Sequence, residues 1–105
     1  MQITFEDSEL RKLIEGGDSR KYKKLAKDSR FKMNLLNVYN TLRAAETTAD
    51  LSSYSFLHYE KLRGLNLSSV RVMNSRVERL IFREIENGIE IVLIELNETH
   101  YGKKK

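Results

Sequence analysis

Two apolar segments joined by Asn87-Gly88 constrain the fold of this chain more than any other feature of its sequence. Residues 79–85 alternate in part between charged and apolar side chains, and residues 89–96 are mainly aliphatic. An Asn-Gly pair favours a two-residue type I′ turn, because that turn requires positive φ at both central positions. The pattern predicts a β-hairpin whose second strand lies inside a sheet, since apolar side chains occupy both of its faces.

The first half of the chain predicts one strand followed by two helices. Residues 2–5 alternate polar and apolar, as a short strand does. Asp7-Ser8 can cap a helix that Gly16-Gly17 ends. Asp18-Ser19 can cap a second, longer helix, whose apolar stripe is Phe31, Leu35, Val38, Tyr39, Leu42 and Ala45. We therefore expect an α+β fold in which an N-terminal strand and a two-helix hairpin pack on a small antiparallel sheet of about three strands.

Composition narrows the class of protein. The 105 residues are 40% hydrophobic and 32% charged, which is typical of one globular domain, here residues 1–105. The net charge of +4 is compatible with a polyanionic partner. Without cysteine, and with two histidines that lack metal-ligand spacing, no metal or other cofactor is expected. No apolar run approaches a membrane span and the first ten residues lack a signal-peptide core, so we expect a cytoplasmic protein without membrane contact.

The net charge is spread evenly over the two halves, so the positions of particular basic side chains matter more than their number. Residues 68–72 alternate as a strand and carry Arg71, while Arg79 begins the first strand of the hairpin. The two-residue period puts Arg79 on the face opposite Leu80 and Phe82, and Arg71 could lie beside it. Further groups that could carry chemistry precede and follow these strands: His58, Glu60, Lys61 and Arg63 in residues 57–64, Arg76 between the strands, and His100 and Tyr101 near the end.

This set of residues suits cleavage of RNA without a metal. A base must remove the proton of a ribose 2′-hydroxyl, and an acid must protonate the departing 5′-oxygen. Arginine suits the phosphate between them, because its planar guanidinium binds two phosphate oxygens. The base candidates are His58, Glu60 and Lys61, and the phosphate ligands are Arg71 and Arg79. The acid is His100 or Tyr101. The arginines also have an explanation without catalysis, since alternating Arg and Glu on a strand usually form a solvated face.

Several short motifs resemble the RelE/ParE superfamily of bacterial toxins, and within it the HigB, or plasmid-maintenance killer, branch. Leu57-His58 with Lys61 and Gly64 looks like that branch's leucine-histidine, lysine, glycine segment. Residues 69–72 look like its Ser-Ile-Arg-Ile strand, and residues 79–82 like its Arg-Ile-x-Phe strand. The pair His100-Tyr101 stands at the place of its Asp-Tyr-His ending. Glu78 departs from the branch, which has an aromatic residue there.

The resemblance implies a RelE-like fold and a type II toxin-antitoxin toxin. Such a toxin is an endoribonuclease, or mRNA interferase, that enters the ribosomal A site of a bacterium and cuts messenger RNA during translation. A cognate antitoxin protein is the implied partner, and the free toxin is expected to be a monomer. Matched to the motifs, the catalytic residues are His58, Arg71, Arg79, His100 and Tyr101. Lys61, Arg63 and Arg76 are the expected RNA contacts.

Two alternatives share the same fold. A ParE-like toxin would inhibit DNA gyrase without catalysis, and it would need a recognition surface rather than an acid and a base. An inactive member would bind only RNA or an antitoxin-like partner. The altered C-terminal motif, His-Tyr followed by Gly and three lysines, motivates the second alternative, which predicts salt-dependent binding without product.

Overall fold

A computed structural model describes residues 1–64 and 66–98 of the chain. The α+β class is confirmed. The elements in chain order are β1 (Gln2–Phe5), α1 (Ser8–Ile14), α2 (Lys23–Ala26), α3 (Ser29–Ala44), two 3₁₀ helices (Thr48–Ser53 and Ser55–Leu57), β2 (Glu60–Leu62), β3 (Leu67–Arg71), β4 (Arg79–Ile85) and β5 (Glu90–Asn97).

The strands form one mixed sheet in the order β1-β5-β4-β3-β2. Strands β2 to β5 make an antiparallel meander, and β1 lies parallel to β5 with Gln2 opposite Glu90. The expected small antiparallel sheet is therefore corrected in two respects: β1 joins it in the parallel direction, and β2 is an additional strand. Parallel pairing requires a long crossover, which the chain from α1 to β4 supplies. Strand β2 was not predicted, because its three residues, two of them charged, are too few to show alternation.

The helices cover one face of this sheet, as expected. Phe31, Leu35 and Leu42 of α3 are fully buried, which confirms the predicted stripe. They belong to one hydrophobic core cluster with residues of α1 and with the sheet residues Val70, Val72, Leu80, Phe82, Ile91, Leu93 and Leu96. Burial of apolar area from both layers holds helix against sheet. The opposite face of β3 and β4 carries Ser69, Arg71 and Arg79.

Helix α1 begins and ends where the sequence predicts. The Asp7 carboxylate accepts hydrogen bonds from the backbone N–H groups of Glu9 at 2.9 Å and Leu10 at 3.3 Å. These bonds satisfy two of the N–H groups that a helix start leaves without partners. At the other end, Gly16 has a φ of +87°, a left-handed conformation that glycine adopts without steric cost.

The predicted start of the long helix is wrong. Helix α3 begins at Ser29, and its N-cap is Asp28, whose carboxylate accepts from the Phe31 N–H at 3.0 Å. Ser19 caps no long helix; its hydroxyl donates to the Glu9 carbonyl at 3.1 Å and is buried. The short α2 occupies part of the intervening basic segment. An Asx cap at 28 interrupts what the sequence alone presents as one continuous helical pattern.

The hairpin between β4 and β5 is confirmed, but its turn is longer than predicted. Ile85 pairs with Glu90, so four residues connect the strands. Positive φ extends over Glu86, Asn87 and Gly88, at 51°, 61° and 86°. The turn packs on the first 3₁₀ helix, where the Thr48 N–H donates to the Gly88 carbonyl at 2.9 Å. A Cβ at Gly88 would lie 2.1 Å from Thr48 Oγ1, so this contact requires glycine.

Within residues 1–64 and 66–98, no helix is long and apolar enough to span a membrane.

Candidate functional site

The face of the sheet opposite the helices holds Arg79 in a fixed position. Its Nε donates to Ser69 Oγ at 2.9 Å, and its Nη2 donates to the His58 carbonyl oxygen at 2.7 Å. Glu60 Oε1 lies 3.6 Å from the same Nη2, and the Arg79 side chain is only 7% exposed. Ser69 belongs to β3 and His58 precedes β2, so Arg79 ties three neighbouring segments together across the sheet.

His58 has a left-handed backbone, with φ 48° and ψ 49°. This conformation is uncommon for a residue with a side chain, and the Arg79 bond to its carbonyl helps to hold it. The imidazole is exposed, and Nε2 lies 3.0 Å from Asn74 Oδ1. An amide oxygen only accepts hydrogen bonds, so in the tautomer that makes this contact Nε2 is the donor. The neutral ring then keeps Nδ1 as the nitrogen that can accept a proton.

Arg71 lies directly opposite Arg79 in the pairing of β3 with β4, which confirms that the two arginines are neighbours on one face. Its Nη1 donates to the Asn74 carbonyl at 3.3 Å. Its Nε is buried and has no hydrogen-bond partner among the residues that the structure describes. A buried donor without a partner is energetically unfavourable. Arg71 therefore has a donor that the described residues leave unused.

Two of the three base candidates lie on opposite faces of β2. Glu60 is on the face of Arg79, 3.6 Å from its guanidinium. Lys61 is on the other face, where its Nζ lies 3.7 Å from Glu84 Oε1. The two-residue period of a strand imposes this separation. The site therefore includes His58 and Glu60, and it excludes Lys61.

Glu84 is the centre of a separate hydrogen-bond network. Ser68 Oγ donates at 2.7 Å, Thr48 Oγ1 donates at 2.9 Å, and the Tyr59 hydroxyl also donates to this carboxylate. Burial alone would raise the pKa of Glu84, but these hydrogen bonds outweigh burial and lower it. Burial and the Glu84 carboxylate raise the pKa of Tyr59 to about 12. The network fixes Tyr59, which follows His58 directly in the chain.

Arg76 contacts protein groups rather than extending from the surface. Its Nη1 lies 2.7 Å from Asp28 Oδ2, and its Nη2 lies 2.9 Å from Glu78 Oε2. Nε donates to the other oxygen of Glu78 at 3.1 Å, and the guanidinium lies 5.0 Å from the centre of the Phe31 ring. All three nitrogens are engaged, so the structure gives no support to the expected RNA contact at this residue.

The remaining expected site residues are dispersed. Arg63 is exposed in the turn after β2. His100 and Tyr101, the acid candidates, lie outside the described residues. Among the residues described, no group of three or more His, Asp or Glu side chains could hold a metal ion.

The sequence did not single out Ser69 or Asn74. Ser69 has a local signal, since it precedes Arg71 by two residues and must share its face. Asn74 has none, because its contact with His58 depends on how the loop after β3 turns back across 16 residues of sequence.

Comparisons with protein-family models, curated proteins and solved structures each gave no match for this chain.

Proposed function

We propose that this protein is a type II toxin that cuts messenger RNA on the bacterial ribosome, with a RelE-like fold and a cognate antitoxin as its partner. The observation that carries the proposal is the arrangement around Asn74. Its side chain orients the His58 ring and its carbonyl accepts from Arg71. A proton acceptor at an exposed position thus stands beside a partly exposed phosphate ligand.

In the proposed reaction, His58 Nδ1 takes the proton from a ribose 2′-hydroxyl. The 2′-oxygen attacks the adjacent phosphorus, and the bond from phosphorus to the 5′-oxygen breaks. Arg71, which is half-buried, stabilises the negative charge on the phosphate oxygens through its guanidinium. His100 or Tyr101 remains the proposed acid for the departing oxygen. The products are a 2′,3′-cyclic phosphate and a 5′-hydroxyl end.

Arg79 has a different part in this proposal from Arg71. Two of its donors already contact Ser69 and His58, and its side chain is largely buried. It is therefore a positioning residue that holds the left-handed backbone of His58. Glu60 remains the alternative base, because it lies on the same face next to Arg79.

The test is a reconstituted translation reaction followed by mapping of the 5′ ends of the message. Wild-type protein is expected to produce 5′-hydroxyl ends at codon-periodic positions. General acid–base catalysis contributes about 100- to 10,000-fold, so His58→Ala should reduce cleavage by at least the lower figure. Arg71→Ala should reduce it comparably. Arg83→Ala is the matched control, because it removes an equal charge from the same sheet, and it should cut normally.

An uncut message on translating ribosomes would overturn the endonuclease. If DNA breaks dependent on gyrase appeared instead, the protein would act as a gyrase inhibitor. Normal cleavage by His58→Ala combined with loss in Glu60→Gln would move the base to Glu60.

A noncatalytic RNA-binding protein is the second candidate. The observation that favours it is the burial of Arg79, which leaves one of the two expected phosphate ligands engaged with protein groups. Salt-dependent RNA binding without any new 5′ ends would support this candidate.

A further inference from the structure

A groove runs along one side of α3, between that helix and the residues around Phe56. Two adjoining cavities of about 430 Å³ and 290 Å³ form it, and they share Asn34, Phe56 and Val72 in their walls. We propose that this α3 groove binds nucleobases of single-stranded RNA. The proposal rests on the proposed function and adds a subsite to it, outside the face that carries Arg79.

The floor and walls of the groove combine amides with aromatic rings. Asn34, Asn37 and Thr41 are spaced by three and four residues, so they lie on one face of α3. The Asn37 side chain makes no hydrogen bond to any described residue, and Asn34 uses only its amide nitrogen, which donates to the Arg30 carbonyl at 2.9 Å. Amide groups with free donors and acceptors can pair with the edges of unstacked bases.

Phe56 supplies the surface on which a base can stack. Its side chain is 46% exposed, although phenylalanine is ordinarily buried. The Tyr54 ring supports it edge-on, with 6.0 Å between ring centres and an interplanar angle of 70°. One face of an exposed ring, held by a second ring, is the arrangement that single-stranded RNA uses for stacking.

The charge of the groove also favours RNA. No Asp or Glu side chain lines the two cavities within the described part of the chain, and Arg30 lies at one end. Arg30 forms no ion pair with another described residue, so its guanidinium is available to a phosphate. No strand residue of the described chain lines either cavity, so the groove offers no open strand edge to which a peptide could add.

The groove leads to the proposed reaction centre. Asn74 lines the cavity that contains Arg30, and its Oδ1 lies 3.0 Å from His58 Nε2. A strand whose bases occupy the groove would continue past Asn74 toward His58 and Arg71. The α3 groove would therefore bind nucleotides that flank the cleaved bond.

Tryptophan fluorescence provides the direct test, because the chain contains no tryptophan. In the Phe56→Trp variant the new indole would stand in the groove, and an unstructured oligoribonucleotide of about eight nucleotides should quench it saturably. Ile89→Trp is the matched control, since Ile89 is also an exposed apolar residue, at 50%, in the distant β4–β5 turn. Its fluorescence should not change.

A second measurement uses the affinity of the wild-type protein for the same labelled oligonucleotide. Loss of one stacked base should make Phe56→Ala bind about 5- to 100-fold more weakly, while Ile89→Ala should stay within about twofold of wild type. Circular dichroism of both variants confirms that they are folded.

RNA binding without quenching of Phe56→Trp would overturn the groove and leave the proposed function intact. Equal quenching by heparin would also overturn it, because heparin carries charge without bases. Quenching by RNA together with a message that stays uncut on ribosomes would support the groove and defeat the endonuclease.

Discussion

Arg76 Nη1 and Asp28 Oδ2 lie 2.7 Å apart although 48 residues separate them in the chain. Asp28 is also the N-cap of α3, so one carboxylate both starts the long helix and anchors the loop between β3 and β4. The Phe31 N–H and then the Arg76 guanidinium, both donating hydrogen bonds to this carboxylate, hold the pKa of Asp28 below its ordinary value. This relationship explains why Arg76 is unsuited to RNA contact.

We expect Arg76→Gln to lower stability without affecting RNA cleavage. Both ion pairs are partly exposed, so solvent screening limits the effect to a fall in melting temperature of about 4 °C. Calorimetry and the translation assay measure the two effects separately. Val77→Ala, at an exposed neighbouring position, is the control and should melt as wild type. A cleavage defect in folded Arg76→Gln would support the original assignment of Arg76 as an RNA contact.

The Glu84 network predicts loss of stability in acid. A folded-state pKa below the ordinary 4.5 means that folding favours the carboxylate. Its stabilisation is fully present above the unfolded pKa, and it is lost as pH falls through the folded pKa. We expect Glu84→Gln to destabilise the protein at neutral pH and to flatten its acid dependence below about pH 4.5. Urea unfolding at several pH values measures this, with the exposed Glu46→Gln as control. If Glu84→Gln and wild type lost unfolding free energy equally as the pH fell, the prediction would be contradicted.

Two glycines with nearly equal φ should respond differently to alanine. Gly16 and Gly88 have φ values of +87° and +86°. Replacing either one by alanine should therefore lower the free energy of unfolding by about 1 kcal/mol, because a residue with a Cβ is strained in the left-handed region. A Cβ at Gly16 meets nothing within 4 Å, whereas one at Gly88 would lie 2.1 Å from Thr48 Oγ1. We expect Gly88→Ala to be the more destabilising in urea unfolding. Thr48→Ala removes the clashing hydroxyl together with its hydrogen bond to Glu84, so the added effect of Gly88→Ala should be smaller in a Thr48→Ala background than in wild type. Equal effects of the two single changes would rule out the clash.

Phe31 and Leu36 on α3 test the helix layer. Phe31 is fully buried and Leu36 is 44% exposed. Phe31→Ala is expected to lower the free energy of unfolding by about 3–5 kcal/mol, through lost burial and the cavity it leaves. Leu36→Ala should change it by less than about 0.5 kcal/mol. Chemical denaturation measures both, and similar losses would show that the two faces of α3 are misassigned.

Local patterns were enough to predict the parts of this fold that depend on neighbours in sequence. The hairpin at Asn87-Gly88 and the stripe from Phe31 to Ala45 follow from strand and helix periodicity. The shared face of Arg71 and Arg79 needed only the two-residue period and one antiparallel pairing. Those predictions required no knowledge of how distant segments meet.

Long-range pairing determines what the sequence could not predict. The parallel contact of β1 with β5 brings together the two ends of the described chain, and no local signal indicates its direction. Asn74 reaches His58 through a loop, and Arg76 reaches Asp28 through the tertiary fold. The separation of Glu60 from Lys61 was predictable only if β2 had been recognised as a strand.

The strand order has a consequence for how the chain meets other copies of itself. The two edges of the sheet are β1 and β2, with four and three residues, while the longer β4 and β5 lie inside and have partners on both sides. Short edges offer few backbone groups to an incoming strand. The aliphatic run of β5 would favour cross-β stacking if it were open. Fibril growth therefore requires the native sheet to open first. The rate of aggregation should depend on the fraction of unfolded protein rather than on the concentration of folded protein.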